Sequence, residues 1–289
     1  MSRSVLPGMT GTAPAPAAGR PPRPQGHRPD SGIPVALLVP AAVGVAVLVL
    51  PLVGLLVRAP WGDLPNALTG ESAVRALRLS LFTATLATVL SVVLGVPLAW
   101  VLARGRLPGR SLLRALVTLP LVLPPVVGGV ALLLAFGRTG FAGRWLEHWF
   151  GVSLPFTSAG VVVAEMFVAM PFLVVSVEGA LRAADLRYEE VAATLGATRW
   201  IAFRRVTLPL VAPGVVAGAV LCWARALGEF GATITFAGNF PGLTQTMPLA
   251  VYSQLQAGDM GGALALSLIM LGVSVLVLAG LRDRWVRPG

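Results

Sequence analysis

Residues 79–102 read LSLFTATLATVLSVVLGVPLAWVL, 24 residues without a charged side chain. A helix of that length rises about 36 Å, enough to cross the roughly 30 Å hydrocarbon layer of a bilayer. Comparable uncharged runs occupy 33–56, 115–136 and 263–281. Two further apolar runs carry charge: 159–177 contains Glu165, and the stretch that begins near Val206 contains Arg225 and Glu229. The pattern predicts an all-α membrane protein with six transmembrane helices near 33–56, 79–102, 115–136, 159–177, 206–236 and 263–281.

Composition agrees with that reading. Of 289 residues, 56% are hydrophobic and only 12% charged, with a mean hydropathy of +0.82. The net charge of +10 comes from short basic clusters between apolar runs, the pattern of membrane topology signals rather than of a nucleic-acid interface. All 22 basic residues are arginine. A phosphate-binding P-loop requires lysine, so this chain has no standard ATPase site, and energy from ATP must come through a partner. Cys222 has no second cysteine to pair with, and His27 and His148 are far apart in sequence, so neither a disulfide nor a local metal site is expected. No GxSxG, HExxH or GxGxxG pattern occurs, which argues against an enzyme.

Residues 1–32 are rich in proline and arginine, with Pro7, Pro14, Pro16, Pro21, Pro22, Pro24 and Pro29 among them, and are expected to form a disordered tail. The run that follows, 24 residues from Ile33, is too long for a cleaved signal core and reads as the first span of a six-helix domain covering 33–289. With the amino terminus inside, 16 of 22 arginines fall on the cytoplasmic side, in the tail and in 104–114, 182–205 and 282–287. Both termini are therefore expected in the cytoplasm, and the chain in the cytoplasmic membrane.

Between the fourth and fifth expected spans, 178–205 forms a charged loop whose centre, with its continuation to Pro209, reads DLRYEEVAATLGATRWIAFRRVTLP. Tyr188, Val191 and Leu195 recur at helical spacing, and Gly196 is placed to end the helix in a left-handed conformation. From the pattern alone, this amphipathic helix either lies on lipid headgroups or meets a partner.

Glu190, Val191 and Ala192, then Gly196, then Val206, Leu208 and Pro209 resemble the EAA signature of binding-protein-dependent ABC importer permeases; valine stands at two positions where alanine or isoleucine is usual. The resemblance implies a type I ABC importer permease fold in which this loop docks in a groove of a separate ATPase. Its coupling residues are then Glu189, Glu190, Val191, Ala192, Gly196, Ala197 and Arg199. ARALGEFG at 224–231, GATITFAGNFPGLTQTMPLAVY at 231–252 and LPLVLPPVVGG at 119–129 are similar to the molybdate branch of that family more than to its sulfate and thiosulfate branch. Tungstate, nearly equal to molybdate in size and charge, is not separated from it. What the resemblance implies further is a homodimer with two ATPase subunits, which bind ATP and magnesium, and an extracytoplasmic molybdate-binding protein. The chain itself is expected to hold no cofactor or metal and to contact lipid rather than nucleic acid. A secondary anion transporter independent of ATP is the alternative from another class.

Charges within spans are costly, about 2.5–3.5 kcal/mol each at mid-membrane on insertion scales. Arg225 and Glu229 are one helical turn apart and form either a structural ion pair or part of the translocation path. Thr233, Thr235 and Asn239 follow as neutral polar groups suited to a passing oxyanion, or else belong to close helix packing and an external loop. Glu165 either lines the path or makes a buried structural hydrogen bond.

Overall fold

The computed structural model describes residues 35–105 and 107–285. The expected proline-rich tail lies outside them, as do the first two residues of the first expected span. The chain order is α1 (Val35–Val57), α2 (Leu64–Thr69), α3 (Glu71–Arg104), α4 (Arg110–Val122), α5 (Pro125–Phe136), α6 (Gly143–Phe150) and α7 (Ser158–Ala183). It continues with α8 (Arg187–Thr194), α9 (Arg199–Ala202), a π-helical turn (Phe203–Thr207), α10 (Leu208–Leu227), α11 (Gly231–Phe236), α12 (Met247–Gln256) and α13 (Met260–Trp285). No strand occurs among the described residues. Among the described residues, five helices are long and apolar enough to cross a membrane: α1, α3, α7, the continuous run 199–227 and α13. The chain divides into two compact units, and α1 contributes its first seventeen residues, to Pro51, to the smaller.

Two expected spans are interrupted. The run 115–136 is split between α4 and α5, with Leu123 and Pro124 extended at ψ 130° and 131°. Each precedes a proline, whose ring pushes the residue before it out of the helical region, and neither proline has an N–H to continue the ladder. The run 206–236 stops at Leu227 and resumes at Gly231, with Gly228 ending α10. At its other end it begins earlier than expected, because Arg199–Thr207 are already helical and pass into α10 through the π turn. Likewise α7 runs through Glu178 to Ala183, and α3 opens at Glu71, so Arg75 and Arg78 lie on a helix rather than in a loop. At about 1.5 Å per residue, the 34 residues of α3 reach roughly 51 Å. Apolar runs mark only the part of a helix that lies in hydrocarbon, and its charged ends extend beyond.

The core of the larger unit is the triad α3, α7 and α10. Helices α3 and α7 run parallel: Thr83 meets Glu165, Gly95 meets Leu173, and Arg104 Nη2 donates to the Ala184 carbonyl at 3.2 Å. Helix α10 runs opposite to both, Gly218 meeting Ser176 and Trp223 Nε1 donating to Thr85 Oγ1 at 3.1 Å. Small residues set these distances. The buried face of α3 is Ala73, Ala76, Ser80, Thr83, Ala84, Ala87, Thr88, Ser91 and Gly95, at spacings of three and four. A Cβ added at Gly218 would lie 2.9 Å from Ser176 Cβ. Lipid is as apolar as leucine, so close backbone approach and interhelical hydrogen bonds hold such helices together.

At the end of the triad where α3 and α7 finish, Glu178 joins three segments. Its Oε1 accepts from Arg114 Nε of α4 at 3.0 Å and from Arg182 Nη2 at 2.9 Å, while Arg114 Nη2 also donates to the Leu102 carbonyl. The carboxylate side chain is 8% exposed. Removing it leaves two arginines facing each other beside apolar surface. Glu178→Ala is expected to destabilise the chain by about 2 kcal/mol, less than the roughly 3–5 kcal/mol of a fully buried pair, because Arg114 and Arg182 are 35% and 47% exposed. Thermal denaturation of the detergent-solubilised chain measures this, with Glu178→Gln expected to lose less.

Candidate functional site

The loop between α7 and α10 folds as two short helices joined by a tight reversal. Gly196 has φ +83°, in the left-handed region where a Cβ is penalised. Gly196 N–H donates to the Ala193 carbonyl and Ala197 N–H to the Ala192 carbonyl, both at 3.0 Å, the pair of bonds that defines a Schellman cap. Thr198 Oγ1 accepts from Ile201 N–H at 3.3 Å and starts α9. Backbone bonds and one side chain thus fix the angle between α8 and α9.

The two glutamates at the start of α8 have different environments. Glu189 Oε1 accepts from Thr207 Oγ1 at 3.1 Å and lies 3.5 Å from Arg104 Nη2, tying α8 to the end of α3 and to the π turn. Glu190 is exposed. Exposed with it are Tyr188, Val191 and Leu195, the last at 83%, so the stripe read from the sequence has no partner within the described residues. Ala192 is buried, Ala197 half-buried and Arg199 exposed. Of the expected coupling residues, Glu189 and Ala192 therefore face the chain's own helices, and Glu190, Val191, Gly196 and Arg199 face outward.

Deeper in the bundle, the interruption after α10 gathers most of the expected path residues. Glu229 is 1% exposed, and its Oε1 accepts from Ala232 N–H at 2.8 Å, satisfying a donor at the start of α11. Arg225 Nη2 lies 2.6 Å from Glu229 Oε2, although its N–H is not aligned with that oxygen. The ion pair read from sequence spacing is present, and its carboxylate has the added task of supporting a break in the backbone. Glu165, also 1% exposed, accepts from Thr83 Oγ1 at 2.9 Å through Oε1, while Oε2 has no partner. The Glu165 and Glu229 side chains are near neighbours.

Thr233 is buried on α11 with an unpartnered hydroxyl, and Thr246 Oγ1 is in the same condition. Thr235 donates to the Gly231 carbonyl at 2.8 Å and packs against α5 so closely that a Cβ at Gly129 would lie 2.6 Å from Thr235 Cβ. Asn239 lies farther along, its Nδ2 donating to Ser253 Oγ of α12 at 2.9 Å. Glu229, Glu165 and Thr233 thus belong to one buried polar region at the α10–α11 break, with the half-buried Arg225 at its edge, and Asn239 to an adjoining network on α12. The short helices α5 and α11 meet there, and irregular backbone is tolerated at membrane depth where protein satisfies it.

Several members were not picked out from the sequence. Thr83 and Ser80, whose Oγ accepts from Met247 N–H at 2.8 Å, sit in an uncharged run where single hydroxyls draw no notice. Their signal was the spacing of small residues along 73–95. Arg104, Thr207, Arg114 and Glu178 gave none beyond their charge or polarity, because their partners are remote in sequence.

Comparison with known proteins gives this geometry a family. Residues 91–287 match the model of the binding-protein-dependent transport system inner membrane component. The molybdenum transport system permease protein ModB of Mycobacterium tuberculosis is 51% identical over 258 residues, covering 89% of this chain and 96% of that protein. The sulfate transport system permease protein CysT of Escherichia coli is 40% identical over 246 residues, covering 84% and 88%. In three dimensions the chain is similar to one chain of a bacterial alginate ABC transporter in complex with an alginate pentasaccharide-bound periplasmic protein. The TM-score is 0.72 at 19% identity, with 88% of this chain and 95% of that one covered. The matched family model and the sequence identity agree: this chain belongs to the family of binding-protein-dependent transport system inner membrane components.

Proposed function

We propose that this chain is the transmembrane permease subunit of an ATP-driven importer of molybdate, with tungstate as an equivalent cargo. The observation that carries the reading is its identity with a permease named for molybdenum, one residue in two along almost the whole of both chains. The subunit works as half of a homodimer, with two ATPase subunits that bind ATP and magnesium at its arginine-rich end. An extracytoplasmic molybdate-binding protein delivers the anion at the other. Both termini lie in the cytoplasm, as the distribution of arginines supports. Six crossings are made by α1, α3, the α4–α5 pair, α7, α10 with α11, and α13.

Exposed Tyr188, Val191, Leu195 and Glu190 offer the ATPase a short rigid helix, and the Schellman cap at Gly196 keeps it at a fixed angle to α9. Glu189, bonded inward to Thr207 and near Arg104, passes displacement of α8 to α3 and α10. ATP binding favours one arrangement of the spans and hydrolysis restores the other, which is alternating access driven by a ligand's different affinity for two states. Within the bundle, Glu229 neutralises Arg225, so an oxyanion passing the α10–α11 break meets hydroxyls and amides such as those of Thr233, Thr235 and Asn239. Contacts of that strength admit an anion and release it. Sulfate is the second reading, favoured by the similarity to a sulfate permease.

ATP hydrolysis by proteoliposomes holding this chain, its ATPase and its binding protein should rise with molybdate and tungstate and not with sulfate; stimulation by sulfate alone would replace the cargo. Glu190→Lys and Gly196→Asp should each lower molybdate uptake roughly tenfold, a coupling loss of about 1.4 kcal/mol, while the ATPase still turns over. Normal uptake by both variants would remove α8 from the coupling path. Arg225→Ala, which strands a buried carboxylate, should lower thermal stability by roughly 2–3 kcal/mol, and adding Glu229→Ala should recover part of that loss.

A further inference from the structure

Where α3 ends and α9 begins, two cavities adjoin, sharing Trp100, Arg199 and Phe203. One, about 310 Å³, is lined by Pro97, Trp100, Val101, Trp200 and Phe203, with Arg199 its single charged residue. The other, about 580 Å³, is the more polar of the two and includes Arg104, Glu189, Glu190 and Thr207. Phe203 stands between the two indoles, edge-on to Trp100 at 6.0 Å and stacked on Trp200 at 5.8 Å. Trp200 is 67% exposed and Ile201 42%, an apolar surface with arginines immediately beside it.

We propose that this paired groove is a binding site for one acidic phospholipid, its acyl chain in the apolar cavity and its anionic headgroup at Arg199 and the polar cavity. Three observations select that occupant. The groove is amphiphilic along its length, apolar at one end and lined by two arginines and two glutamates at the other. Two buried donors at the junction, Trp100 Nε1 and Arg104 Nε, have no acceptor within the chain, and a phospholipid carries ester and phosphate oxygens that accept. Arg199, Arg204 and Arg205 have no carboxylate within 4 Å among the described residues, whereas Glu189 is already engaged by Thr207 and Arg104 and Glu190 is exposed to solvent. A second copy of this chain seated symmetrically on the groove would set those arginines against their own counterparts. An anionic headgroup meets them with opposite charge, and tryptophan and arginine at the ends of two spans are the residues found at headgroup depth.

Lipid occupancy here would brace the junction through which α8 is joined to α3, since Trp100 and Arg104 sit on the last turns of that helix. The experiment is native mass spectrometry of the full chain, delipidated and titrated with dioleoyl phosphatidylglycerol or dioleoyl phosphatidylcholine. One phosphatidylglycerol per chain should be retained about fivefold or more tightly than phosphatidylcholine, the worth of roughly one arginine beside an anionic surface. Arg199→Gln and Trp200→Ala should each remove most of that preference, Arg199→Lys should keep it, and Arg138→Gln, on another cavity, should leave it unchanged. No preference between the lipids, or full preference in both Arg199→Gln and Trp200→Ala, overturns the proposal. So does protection of Trp200→Cys from a maleimide by added ATPase subunit in nanodiscs without acidic lipid, which would assign the groove to a protein partner. Binding is read without cargo or ATP, so its failure is distinct from failure of the transport reading.

Discussion

Inside a bilayer no water takes up a backbone N–H or carbonyl left without a partner, and each such group costs several kcal/mol. This requirement accounts for the absence of strands among the described residues and for the length of the helices. It bears hardest on the two interruptions. At Leu123–Pro124 the prolines remove donors as well as helical geometry, so less is left to satisfy. At Gly228–Phe230 no proline helps, and Glu229 supplies the missing acceptor to Ala232 N–H. A carboxylate placed there is itself a charge in hydrocarbon, and Arg225 one turn earlier offsets it. The ion pair and the broken helix are thus joined through one carboxylate.

The membrane class was legible because it depends on local composition alone. Helix ends were less so. Apolar runs located the hydrocarbon-spanning parts of α3, α7 and the run 199–227, but charged residues at their ends belong to the same helices, as Arg75, Glu178 and Arg199 do. The break before Pro124 was written in a Pro-Pro pair yet read as continuous, because hydropathy does not register backbone geometry. In the α8 loop, Gly196 and the three-four spacing of Tyr188, Val191 and Leu195 encode a cap and a face that the structure contains. The opposite orientations of Glu189 and Glu190 were not visible, since they depend on Thr207 and Arg104 being brought alongside.

Buried polarity divides the larger unit into two levels. Near the middle, Glu165, Glu229 and several hydroxyls are held with few spare partners. At the arginine-rich end, Glu178, Glu189, Arg104, Arg114 and Arg182 link the ends of α3, α4, α7 and α10. The first level holds a break in the backbone; the second joins the exposed helix α8 to the spans. Between them lies a layer of small residues, where Gly95, Gly214 and Gly218 take up side chains of α7 such as Leu173, Ala180 and Ser176.

Glu178 also carries information about assembly. Arg182 is one turn away on the same helix, so the two leave the ribosome together and enter the translocon as a locally neutral pair. Arg114, some sixty residues earlier, is synthesised without its carboxylate and stays a lone charge at the membrane boundary until α7 arrives. The hairpin that bears it remains unlatched for the time needed to translate the intervening segment. The contact of α4 with α7 therefore closes only after Glu178 has been made.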